Sequence, residues 1–148
     1  MDSTERSAAV FGMFDGVVSI VGFIFALMLN GSSNHLIAIG ALGGAISAMV
    51  SMGIGQFEAT DGTLTHRAAA AVFMAVATLV GSLVPVWGFF LFDRPMALVA
   101  AGIGSVAVAG VIGWAKHKGV KGYVGAFVTL LLAVGLTLGV IALLPSAG

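Results

Sequence analysis

Residues 16–57 read GVVSIVGFIFALMLNGSSNHLIAIGALGGAISAMVSMGIGQF and contain no Asp, Glu, Lys or Arg. A helix that crosses a membrane needs about 20 consecutive apolar residues, so this stretch is long enough for two such helices. The turn-forming cluster N-G-S-S-N at 30–34 divides it near the middle. The stretch therefore predicts two membrane-spanning helices joined by a short turn.

The composition of the whole chain also indicates that lipid surrounds this protein. Charged residues make up 8% of the 148 residues and hydrophobic residues 59%, whereas a soluble domain carries roughly 25% charged residues. A net charge of zero leaves no basic stripe to neutralise nucleic-acid phosphates. The absence of cysteine excludes disulfides, thiolate catalysis and Cys-based metal sites.

Three further uncharged stretches, 68–92, 95–115 and 122–148, each fit one more span. Barrel strands are excluded because they are about ten residues long and alternate in polarity. We therefore expect an all-α integral membrane protein with one five-span domain over residues 1–148. The expected helices cover approximately 8–29, 35–57, 67–91, 96–116 and 122–144.

The distribution of cations predicts the orientation of the bundle, because Lys and Arg are enriched in cytoplasmic loops. Only Arg94 lies on the side opposite the N-terminus, which predicts a cytoplasmic N-terminus and an external or lumenal C-terminus. A cleaved signal peptide is disfavoured because Asp2 and Glu5 would lie in its normally basic n-region. The five cations on or beside the N-terminal side are Arg6, Arg67, Lys116, Lys118 and Lys121.

Asp15 is the one charged residue inside a predicted span. A carboxylate at the centre of a membrane helix costs about 2.5–3.5 kcal/mol, and such residues usually mark ion or proton paths. The alternative is a carboxylate near the N-terminal end of the helix at the membrane interface, where the helix dipole favours it.

Small and polar residues recur at helical spacing on the first two helices. Such ridges allow close approach of another helix. A methionine side chain in an apolar helix ordinarily fills space between helices. A thioether combined with a carboxylate, however, suits borderline first-row divalent metals. The first helix carries Asp15, Ser19, Gly22 and Ala26, and the second carries Gly43, Ser47, Ser51 and Gly55 beside Met49, Met52 and Gln56.

Three motifs resemble those of the vacuolar iron transporter family. Residues 11–19, FGMFDGVVS, are similar to its first-helix signature, in which a DG pair precedes a small hydroxyl residue. Residues 44–47 and 51–57 resemble the Gly-Ala-rich second helix that ends in S-M-x-x-G, and 81–86 resembles the G-x-L-V-P motif of the third.

The resemblance implies a homodimeric exporter that moves Fe²⁺ or Mn²⁺ out of the cytosol against an inward flow of protons. The metal is then the transported substrate, and no other cofactor is expected. The partners are a second copy, the lipid bilayer, metal ions and protons, in a prokaryotic cell membrane or a vacuolar or other organelle membrane. The implied metal site consists of Asp15 and Met52, with Ser19, Met49, Ser51 and Gln56 as possible lining of the pathway.

The chain departs from the family pattern in two respects. Gly44 and Gln56 stand where many members carry acidic residues, and the short connection 58–66 leaves no room for the cytosolic metal-binding domain of longer members. The connection is either a solvated loop or a minimal cytoplasmic metal-entry point, and Pro85 is either a gating hinge or a static kink. The possible entry residues are Glu58, Asp61 and His66.

Two functions of different class follow. The first is the proton-coupled metal exporter. The second is a non-transporting membrane scaffold or assembly protein on the same helical framework, which the two missing acids favour. An enzyme is not expected, because the sequence contains no nucleophile–base set and no nucleotide-binding loop.

Overall fold

The computed structural model describes residues 2–115 and 119–143, and five of its helices are long and apolar enough to cross a membrane. The chain is accordingly a multi-pass, all-helical membrane protein. Lys116 and Lys118, which contributed to the predicted orientation, lie outside the described residues, as does His117. The helices are α1 (Ser3–Leu29), α2 (Asn34–Ala59), α3 (Leu64–Val86), the single turn α4 (Gly88–Leu91), α5 (Arg94–Ala115) and α6 (Gly119–Leu143).

Polar caps set where the first three helices begin. The Asp2 carboxylate accepts a hydrogen bond from the Glu5 backbone N–H at 2.8 Å, and the Glu5 carboxylate accepts one from the Asp2 N–H at 2.8 Å. This reciprocal capping box starts α1 at Ser3, five residues before the expected position. Ser33 and Thr63 cap α2 and α3 with one bond each, their hydroxyls accepting from the backbone N–H of Leu36 and His66.

The predicted third span, 67–91, is two helices. Helix α3 continues through Pro85 to Val86, and α4 adds one turn after Trp87. Proline cannot donate to the carbonyl of Gly81, four residues earlier, so the hydrogen-bonded ladder is weakened close to this break. Pro85 is fully enclosed by its neighbours.

Helix α1 lies at the centre of the bundle. One buried cluster joins Ile20 and Ile24 to the start of α2, the end of α3, α4 and the start of α5. A second joins Val17 to the end of α5 and the first half of α6. The remaining faces carry exposed apolar side chains, such as Leu131 at 71% and Leu136 at 73%, which is the surface that lipid covers.

Glycines bring α1 and α3 into backbone contact. A Cβ atom placed on Gly12 would lie 2.6 Å from the Met74 carbonyl oxygen, and one on Gly16 would lie 2.8 Å from the Ser82 nitrogen. On the facing helix, a Cβ atom on Gly81 would lie 3.0 Å from the Met13 carbonyl carbon. The G-x-x-x-G spacing of residues 12–16 is therefore a close-packing motif within the chain.

The opposite end of the bundle is held together by Arg94. Its Nε donates to the Asn34 side-chain oxygen at 3.2 Å, and its guanidinium also donates to the Ser32 carbonyl oxygen. Asn34 in turn donates to the Phe92 carbonyl oxygen at 3.3 Å. These bonds join the α1–α2 turn to the start of α5.

Candidate functional site

Asp15 lies in the middle of α1, twelve residues after Ser3 and fourteen before Leu29. At 1.5 Å per residue, this places it about 18 Å from the start of the helix. Asp15 is therefore not at the N-terminal end of its helix, where the acidic residue of the first turn is Glu5. The capping box that lengthens α1 at its N-terminus is the reason.

Among the described residues, one side chain hydrogen-bonds to Asp15. The side chain is half-buried, and the Ser19 hydroxyl donates a hydrogen bond to its Oδ1 at 3.4 Å. Within the described part of the chain no cation forms an ion pair with Asp15. Its neighbour Gly16 packs against α3, so the close α1–α3 contact holds the backbone that carries the carboxylate.

The predicted row of small and polar residues on α1 (Asp15, Ser19, Gly22 and Ala26) lies in two environments. Ser19 is exposed beside Asp15, whereas Gly22 is buried and would place a Cβ atom 2.6 Å from the Thr137 methyl carbon of α6. Ala26 is half-buried. Ser19 is thus accessible to a further partner beside the half-buried Asp15, whereas α6 covers Gly22.

The predicted ridge on α2 packs against nothing within the described chain. A Cβ atom on Gly43 or Gly55 would meet no other atom within 4 Å. Ser47 and Ser51 are exposed, and the Ser51 hydroxyl donates to the Ala48 carbonyl oxygen at 3.1 Å. This ridge is an unpartnered helix face with small residues at every turn.

A cavity of about 660 Å³ opens between α1, α2 and α3 at the end where α1 begins. We call it the N-terminal cavity. Met52 and Gln56 line it, as the implied pathway requires, whereas Asp15 and Met49 are not among its lining residues. The structure therefore places the two implied metal-site residues in different surroundings. The lining consists of Ser3, Thr4, Ser7, Ala8, Phe11, Met52, Gly55, Gln56, Ala59 and Met74.

The side chains of the predicted metal-entry loop do not converge. Glu58 pairs with Arg67 at 3.5 Å, His66 lies 3.3 Å from the Asp2 carboxylate, and Asp61 is exposed. Arg67 also donates to the Phe57 carbonyl oxygen at 3.0 Å. In residues 2–115 and 119–143, no group of three His, Asp or Glu side chains is placed to hold a metal ion.

The contact between Asp2 and His66 joins the starts of α1 and α3 beside the mouth of the N-terminal cavity. The hydrogen bond from the Glu5 backbone N–H lowers the pKa of Asp2 below its usual value of 3.8, and the positive charge of protonated His66 lowers it further. A carboxyl whose pKa is lower in the folded state stabilises that state above its unfolded pKa, and the effect is lost as the pH falls through the folded value.

We therefore expect Asp2→Ala to lower the melting temperature of the detergent-solubilised protein at neutral pH, with the difference shrinking below pH 3.8. Melting curves across the acidic range measure it. Asp61→Ala, in an exposed loop position, is the control and should melt as the wild type does. A constant Asp2→Ala deficit at every pH would contradict the role of the charge.

Three buried residues of α3 were not identified from the sequence. Thr78 and Ser82 are fully buried against Gly12 and Gly16 of α1, and Met74 lines the N-terminal cavity. The Thr78 hydroxyl donates to the Met74 carbonyl oxygen at 2.8 Å, whereas Ser82 Oγ has no hydrogen-bond partner among the described residues. Only the position of Ser82 within the 81–86 motif distinguished any of them in the sequence.

Comparison with known protein families, curated proteins and solved structures finds no match for this chain. The vacuolar iron transporter family therefore remains a resemblance carried by the three sequence motifs.

Proposed function

We propose that this protein exports divalent transition metals, Fe²⁺ or Mn²⁺, from the cytosol in exchange for protons. The observation that carries the proposal is the Asp15 carboxylate, which is half-buried in the middle of a membrane helix with a single hydroxyl donor. A carboxylate in that position is costly without a cation or a proton. A transported metal and a counter-transported proton are two ligands that neutralise it in turn.

A second copy of the chain would complete the site. The open ridge of α2, with Gly43 and Gly55 free of contacts, offers the close approach that small residues allow between membrane helices. A two-fold axis beside α1 and α2 would bring two Asp15 carboxylates and two Met52 thioethers toward one pathway. Two carboxylates match the charge of one divalent ion.

The N-terminal cavity supplies an entry route in this proposal. The cation distribution assigns this end of the bundle to the cytoplasm. The cavity reaches inward from Ser3 and Thr4 as far as Met52. Metal would enter here and pass to Asp15, farther along α1.

The second candidate, a non-transporting scaffold, is supported by one feature of the cavity. Gln56 replaces an acid that many similar transporters carry, and its amide donates to the Thr60 hydroxyl at 2.9 Å. The bond ties the side chain into the end of α2. A cavity lining without any carboxylate is weaker evidence for divalent-metal transport.

Transport by the wild-type protein separates the two functions. Proteoliposomes with an acidic interior should take up Fe²⁺ and Mn²⁺ faster than those with equal pH on both sides, because outward proton flow drives metal inward. Protein-free vesicles and Mg²⁺ uptake serve as controls. Uptake no faster than in protein-free vesicles would exclude the exporter and leave the scaffold.

A further inference from the structure

Two methionine side chains from different helices line the inner part of the N-terminal cavity. Met74 of α3 is 4% exposed, and Met52 of α2 is half-buried. They lie ten residues after the start of α3 and seven before the end of α2, or about 15 and 10 Å along each helix. The hydroxyl residues Ser3 and Thr4 lie at the mouth.

The Met74 side chain packs against α1. Met is flexible and ordinarily occupies irregular gaps in a core. Here the Met74 sulfur lies against Gly12, where a Cβ atom would be 3.0 Å from it, so a glycine of α1 makes room for this sulfur. Met74 also lines the N-terminal cavity of about 660 Å³ together with Met52.

Among residues 2–115 and 119–143, none of those that line this cavity is charged or carries an imidazole. Its polar groups are the hydroxyls of Ser3, Thr4 and Ser7 and the amide of Gln56, whose nitrogen is engaged by Thr60. Mg²⁺ and Ca²⁺ bind through oxygen ligands that commonly include carboxylates. Thioether sulfur instead prefers soft cations, Cu⁺ above all.

We infer that Met52 and Met74 together form a neutral binding site for a soft monovalent transition-metal cation of the Cu⁺ class. The Gln56 amide and the Ser7 hydroxyl also line the cavity and would supply its oxygen ligands. A monovalent ion needs less compensating charge than a divalent one, which fits a lining without carboxylates. This binding site shares Met52 and the N-terminal cavity with the proposed transport pathway, but it contains no Asp15 ligand and binds its ion without any transport through the protein.

Methionine methyl NMR with Ag⁺, a redox-inert analogue of Cu⁺, tests the inference on the full-length protein in detergent. With ¹³C-methyl methionine, Ag⁺ should shift the signals of Met52 and Met74 together and leave that of Met96 unchanged. Met96 is 54% exposed on α5 and lies outside the cavity. Shifts of Met52 without Met74, or equal shifts at Met96, would overturn the paired site, as would no shift at all.

Binding isotherms of single variants give a second measurement. Met74→Leu and Met52→Leu should each weaken Ag⁺ binding by at least the roughly tenfold loss that follows removal of an outer-sphere partner of a metal. Met96→Leu should bind as the wild type does. Unchanged affinity in Met74→Leu would overturn the inference. If that variant does not fold, the wild-type NMR titration decides alone. All measurements are made without a gradient, so failure of Fe²⁺ or Mn²⁺ transport leaves their outcome unaffected.

Discussion

Asp15→Asn is expected to abolish proton-driven metal uptake in proteoliposomes. Asparagine has nearly the same shape and still accepts the hydrogen bond from Ser19, so the substitution removes the charge and the titratable proton while leaving the packing intact. Loss of one outer-sphere partner already weakens metal sites by about 10–100-fold, and loss of the anionic ligand itself should be at least as severe.

Although Asp15→Asn should lose metal uptake, it should not lose stability. Because an uncompensated carboxylate at the centre of a span costs about 2.5–3.5 kcal/mol, its removal should leave the melting temperature equal or raised. Inactivity with preserved stability would separate a role in transport from a role in folding.

Asp93→Asn is the matched control for this experiment, because Asp93 is exposed between α4 and α5. It should retain full uptake. If Asp15→Asn transports as well as Asp93→Asn, the proposed site is wrong even though the protein transports metal.

Gly16→Ala is expected to destabilise the bundle strongly. The added methyl group would overlap the Thr78 carbonyl oxygen and lie 2.8 Å from the Ser82 nitrogen. Both are backbone atoms that move only with the whole helix, so α1 and α3 must separate. Overpacking of this kind costs about 1–3 kcal/mol or more, which outweighs the roughly 1 kcal/mol by which Ala favours a helix over Gly.

Thermal unfolding, monitored by size-exclusion chromatography, measures this loss of stability. Gly81→Ala, which inserts a methyl group into the same contact from α3, should behave alike, because Met13 backbone atoms face it. Gly135→Ala on α6 is the control, since its Cβ atom would meet no atom within 4 Å. A melting temperature of Gly16→Ala equal to that of Gly135→Ala would contradict the α1–α3 contact.

The number of long apolar helices follows from the sequence because each span must satisfy its backbone groups within itself. Length and hydropathy are then properties of single segments, and the uncharged stretch 16–57 is divided at residues 30–34 as predicted. The helix ends were less accurate. The capping box at Asp2 and the break at Trp87 depend on local hydrogen bonds that hydropathy does not report.

The neighbours of each site residue could not be predicted in this way. Gly12, Gly16 and Gly22 look alike as small residues at helical spacing, yet the first two contact α3 and the third contacts α6. Helical periodicity relates residues of one helix and carries no information about which helix faces them. For the same reason, nothing in the sequence distinguished Met74 from other apolar residues of α3. The fold shows that it lines the same cavity as Met52.

Two conclusions follow from the residues alone: this protein belongs in a bilayer, and Asp15 is the exceptional residue of its spans. Both conclusions depend on the free energy of transferring single residues into lipid. Folding was needed to show that Asp15 is half-buried beside the exposed Ser19, and that Met52 and Met74 line one cavity. Those relations arise from helix–helix packing, which is governed by shape complementarity between segments distant in the chain.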